Sequence, residues 1–260
     1  MQYFGALINI GGSTSRNPFA VSRKFISFAV FIAASLVTRI SGAAVLTEYQ
    51  FTNNRTSSNV PVGAVASTFN NGAGMTTNIV TGYRTTTPSS TIDPSLFTLS
   101  SDTSSTEAGA VTNNNYYTFT LTPNAGIVLD LTSLTFRYAL DNSGGSTGFN
   151  ATYFVRSSID NFATDVGSVP ASAGKGKTTA FTTANIDLTA SQFQNLSSAV
   201  TFRIYIYDNS NTTTQQDLLD DVIVNGSLAL VPEPSTYAMM GLGIGLLAAA
   251  QRFRRSRRSA

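Results

Sequence analysis

Residues 200–207 read VTFRIYIY, and this stretch decides the fold. Val200, Phe202, Ile204 and Ile206 are apolar, and they alternate with Thr, Arg and two Tyr residues. A period of two residues is that of a β-strand, in which successive side chains point to opposite faces of a sheet. The stretch therefore predicts a strand with one apolar face turned towards a core.

The same alternation recurs on both sides of this strand. It predicts strands at residues 134–140 and 149–156, where only Phe154 interrupts the polar side. Turn residues separate these strands from others, because Gly, Pro, Asn and Asp cluster between them. The further predicted strands are residues 45–52, 116–121, 127–131, 179–188 and 221–230.

The intervening segments contain no long stretch of helical periodicity. Residues 188–196 predict one short helix or turn, with Thr189 or Ser191 as its cap. Residues 53–115 predict long polar loops around two or three edge strands, and residues 168–176 predict a surface loop. Many short strands joined by polar turns predict an all-β fold, an antiparallel β-sandwich or jelly roll, over residues 44–230.

The composition excludes several kinds of active site. The 260 residues include no Cys, His or Trp. Disulfides, thiolate metal sites and triads built on His are therefore excluded. Residues 44–232 carry seven basic and thirteen acidic side chains, a net charge of −6. This acidic balance gives no support to a nucleic-acid partner.

The N-terminal region has the pattern of a secretory signal. Arg23 and Lys24 precede the apolar residues 25–37, and small residues follow at 41–44. This order predicts a signal peptide with an N-terminal extension over residues 1–43, which forms a signal helix and is cut after Ala43 or Ala44. Signal peptidase and the Sec export machinery are the expected partners. The alternative is a retained N-terminal anchor.

The C-terminal region combines a Pro-Glu-Pro motif, an apolar helix and an Arg run. The motif reads VPEPST at residues 231–236, and residues 237–250 are apolar. The basic residues are Arg252, Arg254, Arg255, Arg257 and Arg258. Basic residues after an apolar segment hold that end in the cytoplasm. The pattern predicts a short transmembrane helix with an Arg-rich membrane stop. The alternative is an ordinary C-terminal membrane anchor.

Residues 231–260 resemble the PEP-CTERM sorting signal. The resemblance implies recognition of Val231, Pro232, Glu233 and Pro234 by an exosortase-type processing enzyme. It further implies an inner-membrane intermediate, followed by delivery to the cell surface or an exopolysaccharide matrix. Residues 116–131, 153–167 and 218–226 also resemble a recurrent group of PEP-CTERM passengers. Those passengers look like jelly rolls, broadly similar to carbohydrate-binding and lectin-like sandwiches.

Two local patterns outside the tail are candidate sites for cations or for loop ordering. An acidic cluster precedes the end of the last strand, and its members are Asp217, Asp220 and Asp221. Carboxylates are ligands for Ca²⁺, and no other cofactor is predicted; a polar turn is the alternative. Arg156 lies close in sequence to Asp160 and Asp165, a pattern that predicts an Arg–Asp pair fixing a loop; the alternative is a turn without a functional role.

A third pattern concerns ligand binding. Arg203, Tyr205 and Tyr207 share one face of the strand at 200–207, and aromatic rings beside polar groups suit stacking on sugars. The alternative is a face packed within the protein. These patterns favour an exported, non-enzymatic protein of the surface or matrix, with a structural or interaction role. The alternatives are a carbohydrate-binding or adhesion module, and a glycoside hydrolase or lyase with two carboxylates about 5 to 9.5 Å apart.

Overall fold

A computed structural model describes residues 44–52, 54–83, 93–99, 104–209, 215–231 and 234–256. The predicted signal peptide, residues 1–43, lies outside this part of the chain. Pro232 and Glu233 of the sorting motif, and Arg257 and Arg258 of the membrane stop, also lie outside it.

The described residues form strands throughout, with one short helix among them and one long helix at the end. In chain order the elements are β1 (Ala44–Tyr49), β2 (Ala64–Ala66), β3 (Asn70–Asn71), β4 (Thr76–Tyr83), β5 (Asp93–Leu99), α1 (Glu107–Asn113), β6 (Tyr116–Pro123), β7 (Ile127–Asp141), β8 (Phe149–Ser157), β9 (Gly167–Ala173), β10 (Thr182–Asp187), β11 (Val200–Asp208), β12 (Gln216–Leu230) and α2 (Pro234–Ser256). Single 3-10 turns occur at Ser158–Asp160 and Ser191–Phe193.

The strands form two antiparallel sheets. Sheet I has the order β10-β7-β12-β5-β4, and β1 also pairs with β12. Sheet II has the order β2-β6-β11-β8-β9, and β3 also pairs with β6. From β5 onwards the chain places β5-β12-β7-β10 in one sheet and β6-β11-β8-β9 in the other. This is the connectivity of a jelly roll, and the predicted sandwich is confirmed.

The core lies between the inner faces of the two sheets and is rich in aromatic side chains. Phe202 of β11 packs there with Phe119 of β6, at 5.6 Å between ring centroids. Tyr153 of β8 and Phe136 of β7 join them from opposite sheets, and all four are at most 1% exposed. Burial of each such side chain stabilises the fold by roughly 1.5–3 kcal/mol. The alternation seen in the sequence therefore marks the inner face correctly.

Three segments differ from the sequence prediction. Residues 127–131 and 134–140 belong to one continuous strand, β7, because the intervening polar residues stay in the ladder with β12: Asn225 Nδ2 donates to Ser133 Oγ at 3.2 Å. Residues 168–176 are not simply a loop, since β9 pairs with β8 as an edge strand and includes Pro170. The described parts of residues 53–115 contain four strands and α1, which were predicted only in part.

The segment at 188–196 contains one 3-10 turn, as predicted. Its cap position is Ala190, without a side-chain hydrogen bond, so the predicted capping by Thr189 or Ser191 is wrong. Phe193 in this turn is buried in the main core, so packing positions the turn.

Candidate functional site: the outer face of sheet II

The outer face of sheet II carries a small second core beneath α1. The helix begins after Thr106, whose hydroxyl accepts a hydrogen bond from the Gly109 amide at 3.1 Å. It ends at Asn113, and the capping residue Asn114 adopts the left-handed conformation at φ 58°. Ala110 of α1 is completely buried and forms a cluster with Phe154 and Tyr205 on the outward side of the sheet. This cluster explains why Phe154 interrupts the polar side of β8.

Aromatic rings stack within this second core. The Tyr205 ring lies parallel to Phe154, with centroids 4.9 Å apart and an interplanar angle of 11°. Tyr116 meets Tyr205 edge-on at 5.1 Å, and Tyr207 lies 6.0 Å from Phe154. Offset and edge-to-face pairs of this kind add about 0.5–1.5 kcal/mol each beyond their buried area. These ring contacts hold the aromatic side chains in place on the outer face of sheet II.

Arg156 ties α1 and the loop after β8 to this core. Its Nη2 contacts Oε1 of Glu107 at 2.6 Å, and its Nε contacts Oδ1 of Asp165 at 2.7 Å. The hydrogen bonds to Asp165 and Glu107 raise the pKa of Arg156 despite an opposing desolvation effect of burial. The structure thus contains the Arg–Asp pair predicted for this loop, with Asp165 as the acid. Asp160 instead accepts the backbone amides of Ala163 and Thr164.

Arg203 lies between two aromatic rings, an arrangement that we call the Arg203 clamp (Arg203, Tyr116 and Phe162). Its guanidinium carbon lies 3.8 Å from the Phe162 ring centroid and 4.4 Å from that of Tyr116. Nη1 donates to the Tyr205 hydroxyl at 3.2 Å, while Nε is buried and has no hydrogen-bond partner. Within the described residues, no carboxylate lies within 4.0 Å of this guanidinium.

The loop that holds Phe162 over Arg203 is strained. Asn161 and Phe162 both adopt left-handed backbone conformations, at φ 59° and 60°. Asn tolerates this region, but a bulky side chain such as Phe rarely does. The Phe162 amide donates to the Ser157 carbonyl at 2.8 Å, and Arg156 Nη1 donates to the Phe162 carbonyl at 3.2 Å. The surrounding hydrogen bonds therefore hold the ring over Arg203 against this backbone preference.

The predicted glycan contacts are brought together, but not as an open platform. Arg203, Tyr205 and Tyr207 share the outer face of sheet II. Tyr205 is only 1% exposed because α1 covers it, so its predicted role as a stacking surface for sugars is corrected. Arg203 and Tyr207 are half-buried and stay at the surface in part. Phe162 and Tyr116 were missed, although the interruption at Phe154 was a signal that something covers this face.

The predicted calcium ligands do not converge on one point. Asp220 and Asp221 both bind Arg137 Nη1, at 3.3 and 3.0 Å. The register of β12 shifts here, and Asp221 adopts φ 46°. Asp217 instead belongs to the interior with Tyr153. In the described ranges no group of three or more His, Cys, Asp or Glu side chains is placed to hold a metal ion.

Asp217 is a buried acid at the edge of the main core. Burial, together with the charge of Asp208 and a hydrogen bond to it, raises the pKa of Asp217 well above its usual range. Burial and the charge of Asp217 likewise raise the pKa of Tyr153 well above its usual range. Asp208 and Asp217 are 8% and 2% exposed, so this pair does not form the open, two-carboxylate cleft that a glycoside hydrolase would need.

The C-terminal tail continues directly from the centre of sheet I. Leu230 ends β12 in register with Ile127, and the Val231 amide donates to the Gly126 carbonyl at 2.8 Å. Helix α2 then begins at Pro234. Thus the sorting motif begins where the sheet ends, without an intervening linker.

Helix α2 has an exposed surface over the part of its length whose side chains are described. Leu242, Ile244 and Leu247 are 57–67% exposed, and Arg252 and Arg254 are also exposed. In the portion of the chain that the structure describes, no helix is sufficiently long and apolar to span a membrane. This finding does not support the short transmembrane helix predicted for residues 237–250. The role of the Arg run as a membrane stop stays a prediction.

Comparisons with known proteins identify the tail. The family model of the PEP-CTERM protein-sorting motif matches residues 230–258. No curated protein matches the chain.

Among solved structures, the K1 cleaved adhesin domain of Lys-gingipain from Porphyromonas gingivalis is 15% identical, with 70% of this chain and 97% of that chain covered and a TM-score of 0.34. The CBM22-1 xylan-binding domain from Paenibacillus barcinonensis is 12% identical, with 74% and 98% covered and a TM-score of 0.33. The CBM27-1 module from Caldicellulosiruptor saccharolyticus, in complex with mannohexaose, is 16% identical, with 66% and 99% covered and a TM-score of 0.36.

These TM-scores are too low to assign a function or a fold family to this chain. The family model, in contrast, matches the same residues that carry the resemblance in the sequence, namely the Pro-Glu-Pro motif, the apolar segment and the Arg run. Residues 230–258 are a PEP-CTERM protein-sorting motif, which implies that the chain is exported and processed by an exosortase-type enzyme.

Proposed function

We propose that this chain is a non-enzymatic protein of the bacterial cell surface or exopolysaccharide matrix, with a structural or interaction role. The observation that carries the proposal is the sorting motif placed directly after the last strand of a complete jelly roll. The jelly roll is then the delivered passenger, and the tail is the part used in sorting. Signal peptidase and the Sec machinery act at residues 1–43, and the inner membrane holds a transient intermediate.

The polar character of the passenger supports an extracellular setting. Residues 44–232 are rich in Ser, Thr and Asn and carry a net charge of −6. Such a surface stays soluble and does not attract nucleic acid. Within the described residues, the most deeply buried acids are engaged inside the fold rather than lining a cleft.

The test is the intact mass of the protein recovered from its native host, measured for each cell fraction. In the outer-surface or matrix fraction, we expect the mass of a polypeptide that begins near Ala44 and ends near Pro232. A mass that retains the Arg-rich tail, found only in the inner-membrane fraction, would contradict the proposal. Replacement of Pro232 and Glu233 by Ala should leave the unprocessed form, whereas Lys175→Ala in the passenger should not.

A second candidate function is adhesion to polysaccharide through the outer face of sheet II. The observation that favours it is the Arg203 clamp, since a half-buried guanidinium lies between two rings and no carboxylate of the described residues pairs with it. Purified protein should be retarded in an electrophoresis gel containing the host's own exopolysaccharide. Unchanged migration in that gel would exclude this second function.

A further inference from the structure

We propose that the Arg203 clamp binds the carboxylate of a uronic acid in an acidic polysaccharide. The inference rests on the second candidate function and specifies its ligand class.

The first argument is that Arg137 and Arg156 are held by ion pairs, whereas Arg203 has none within the described residues. Arg137 binds the carboxylates of Asp220 and Asp221, and Arg156 binds those of Glu107 and Asp165. Arg203 has one hydrogen bond, to a neutral hydroxyl, and its Nε is buried without a partner. A guanidinium has five N–H donors in a planar fork that matches a carboxylate. One N–H of Nη1 and both of Nη2 therefore have no acceptor within the described residues, whereas the buried Nε is out of reach of a ligand.

The second argument is the position of Arg203 opposite another cation. Arg203 and Arg156 are direct cross-strand partners in sheet II. Like charges in this position destabilise a sheet. Glu107 and Asp165 offset the charge of Arg156, but both carboxylates are already used by it. The two carboxylates balance the two guanidinium charges, but both bind Arg156, so Arg203 is the guanidinium of this pair at which an external anion would bind directly.

The third argument is preorganisation. Tyr116 and Phe162 hold the guanidinium at ring distances of 4.4 and 3.8 Å, so ligand binding need not order a free side chain. The Phe162 backbone adopts an unfavourable φ of 60° to place its ring there. Strain of this kind is a frequent feature of binding sites.

The surrounding surface favours a sugar over a peptide. Thr118 is the cross-strand neighbour of Arg203, and Thr120 pairs with Thr201 one step further along the same face. All three are half-buried, and the hydroxyls of Thr120 and Thr201 lie 2.8 Å apart. Thr118 donates its hydroxyl to the Phe202 carbonyl, and the Thr120 and Thr201 hydroxyls bond each other, so the row offers three acceptor oxygens and one donor to the hydroxyls of a sugar chain. The overall negative charge opposes any polyanion, but at 0.15 M salt this repulsion is screened beyond about 8 Å.

The experiment measures binding of the full-length protein to polygalacturonate at 0.15 M salt by affinity electrophoresis. Arg203→Gln should weaken binding about tenfold or more, which is the effect of losing one charge-assisted pair. Lys177→Gln removes one positive charge from an exposed position and should change binding less than about twofold, as expected of a screened surface charge. Arg203→Lys keeps the charge but loses the fork, and should bind nearly as weakly as Arg203→Gln.

Two further polymers separate the possible failures. Fully methyl-esterified polygalacturonate removes the carboxylates, and both wild type and Arg203→Gln should bind it equally weakly. Equal and tight binding of the neutral polymer by both proteins would overturn the carboxylate assignment while leaving polysaccharide adhesion intact. Failure to bind either polymer would overturn the uronic-acid assignment, whereas the gel containing the host's own exopolysaccharide decides the adhesion proposal separately. Tighter binding of poly-glutamate than of polygalacturonate would overturn the sugar assignment in favour of an acidic peptide.

Discussion

Replacing Phe154 by Ala tests whether the outer face of sheet II is a real second core. Phe154 is 1% exposed, and its ring stacks on Tyr205 at 4.9 Å and lies 5.3 Å from the Arg156 guanidinium carbon. Removal of a buried Phe ring typically lowers the free energy of unfolding by about 3–5 kcal/mol. For a domain of about 150–250 residues, each 1 kcal/mol lowers the Tm by roughly 2–4 °C. The expected fall in Tm is therefore about 6–20 °C.

The assay is thermal unfolding followed by circular dichroism, with urea unfolding to obtain the free energy. Thr152→Ala is the matched control, since Thr152 lies on the same face of β8, is half-buried, and has its ladder partner in Tyr207. Its effect should stay within about 0.5 kcal/mol, as for an ordinary surface position. If Phe154→Ala behaves like Thr152→Ala, then α1 does not cover this face in solution, and the ordered Arg203 clamp loses its support.

Two other changes probe the interior of the sandwich. Burial and the nearby Asp208 raise the pKa of Asp217. Above about pH 3.9 the unfolded chain therefore releases a proton that the folded state keeps. The free energy of unfolding thus falls as the pH rises from there towards the pKa of Asp217 in the folded state. Asp217→Asn should thus stabilise the protein at pH 7 by roughly 1–3 kcal/mol and make no difference near pH 3.5; equal effects at both pH values in urea unfolding would refute this. Gly226→Ala would place a Cβ 2.4 Å from the Asp130 carbonyl oxygen and should destabilise the sandwich by about 1–3 kcal/mol. Gly241→Ala in α2, with open space around its Cβ, should leave the Tm of the sandwich unchanged.

The inner face of the sandwich was predictable because it follows a simple local rule. Alternation placed Phe202 and Ile204 in the core, and both are fully buried. The order of the strands was not predictable from that rule, since β5 and β12 are neighbours although more than a hundred residues separate their starts. Pairing over such distances depends on packing of the whole chain, which local periodicity does not encode.

The outer face was predicted less well, for a different physical reason. The alternation in β8 predicts that its polar side chains face solvent, with Phe154 as the exception. In the structure a seven-residue helix buries it, and a helix so short carries too little periodicity to be recognised in a sequence. Phe162 was missed because its position over Arg203 depends on two left-handed residues in a loop. For Tyr205 the sequence predicts the correct face of the sheet, but it does not predict that α1 buries the ring there.

The attachment of the sorting motif to β12 has a mechanical consequence for export. β12 pairs with β7 along one edge and with β1 and β5 along the other, so it lies within sheet I rather than at its margin. A force applied through the tail first reaches residues 227–230, which pair with β7 alone, and then residues 222–226, which lie between β7 and β1. An edge strand in the same position would peel from one neighbour only. We therefore expect the jelly roll to stay folded when the tail is pulled and cut, because residues 222–226 are held by both β1 and β7.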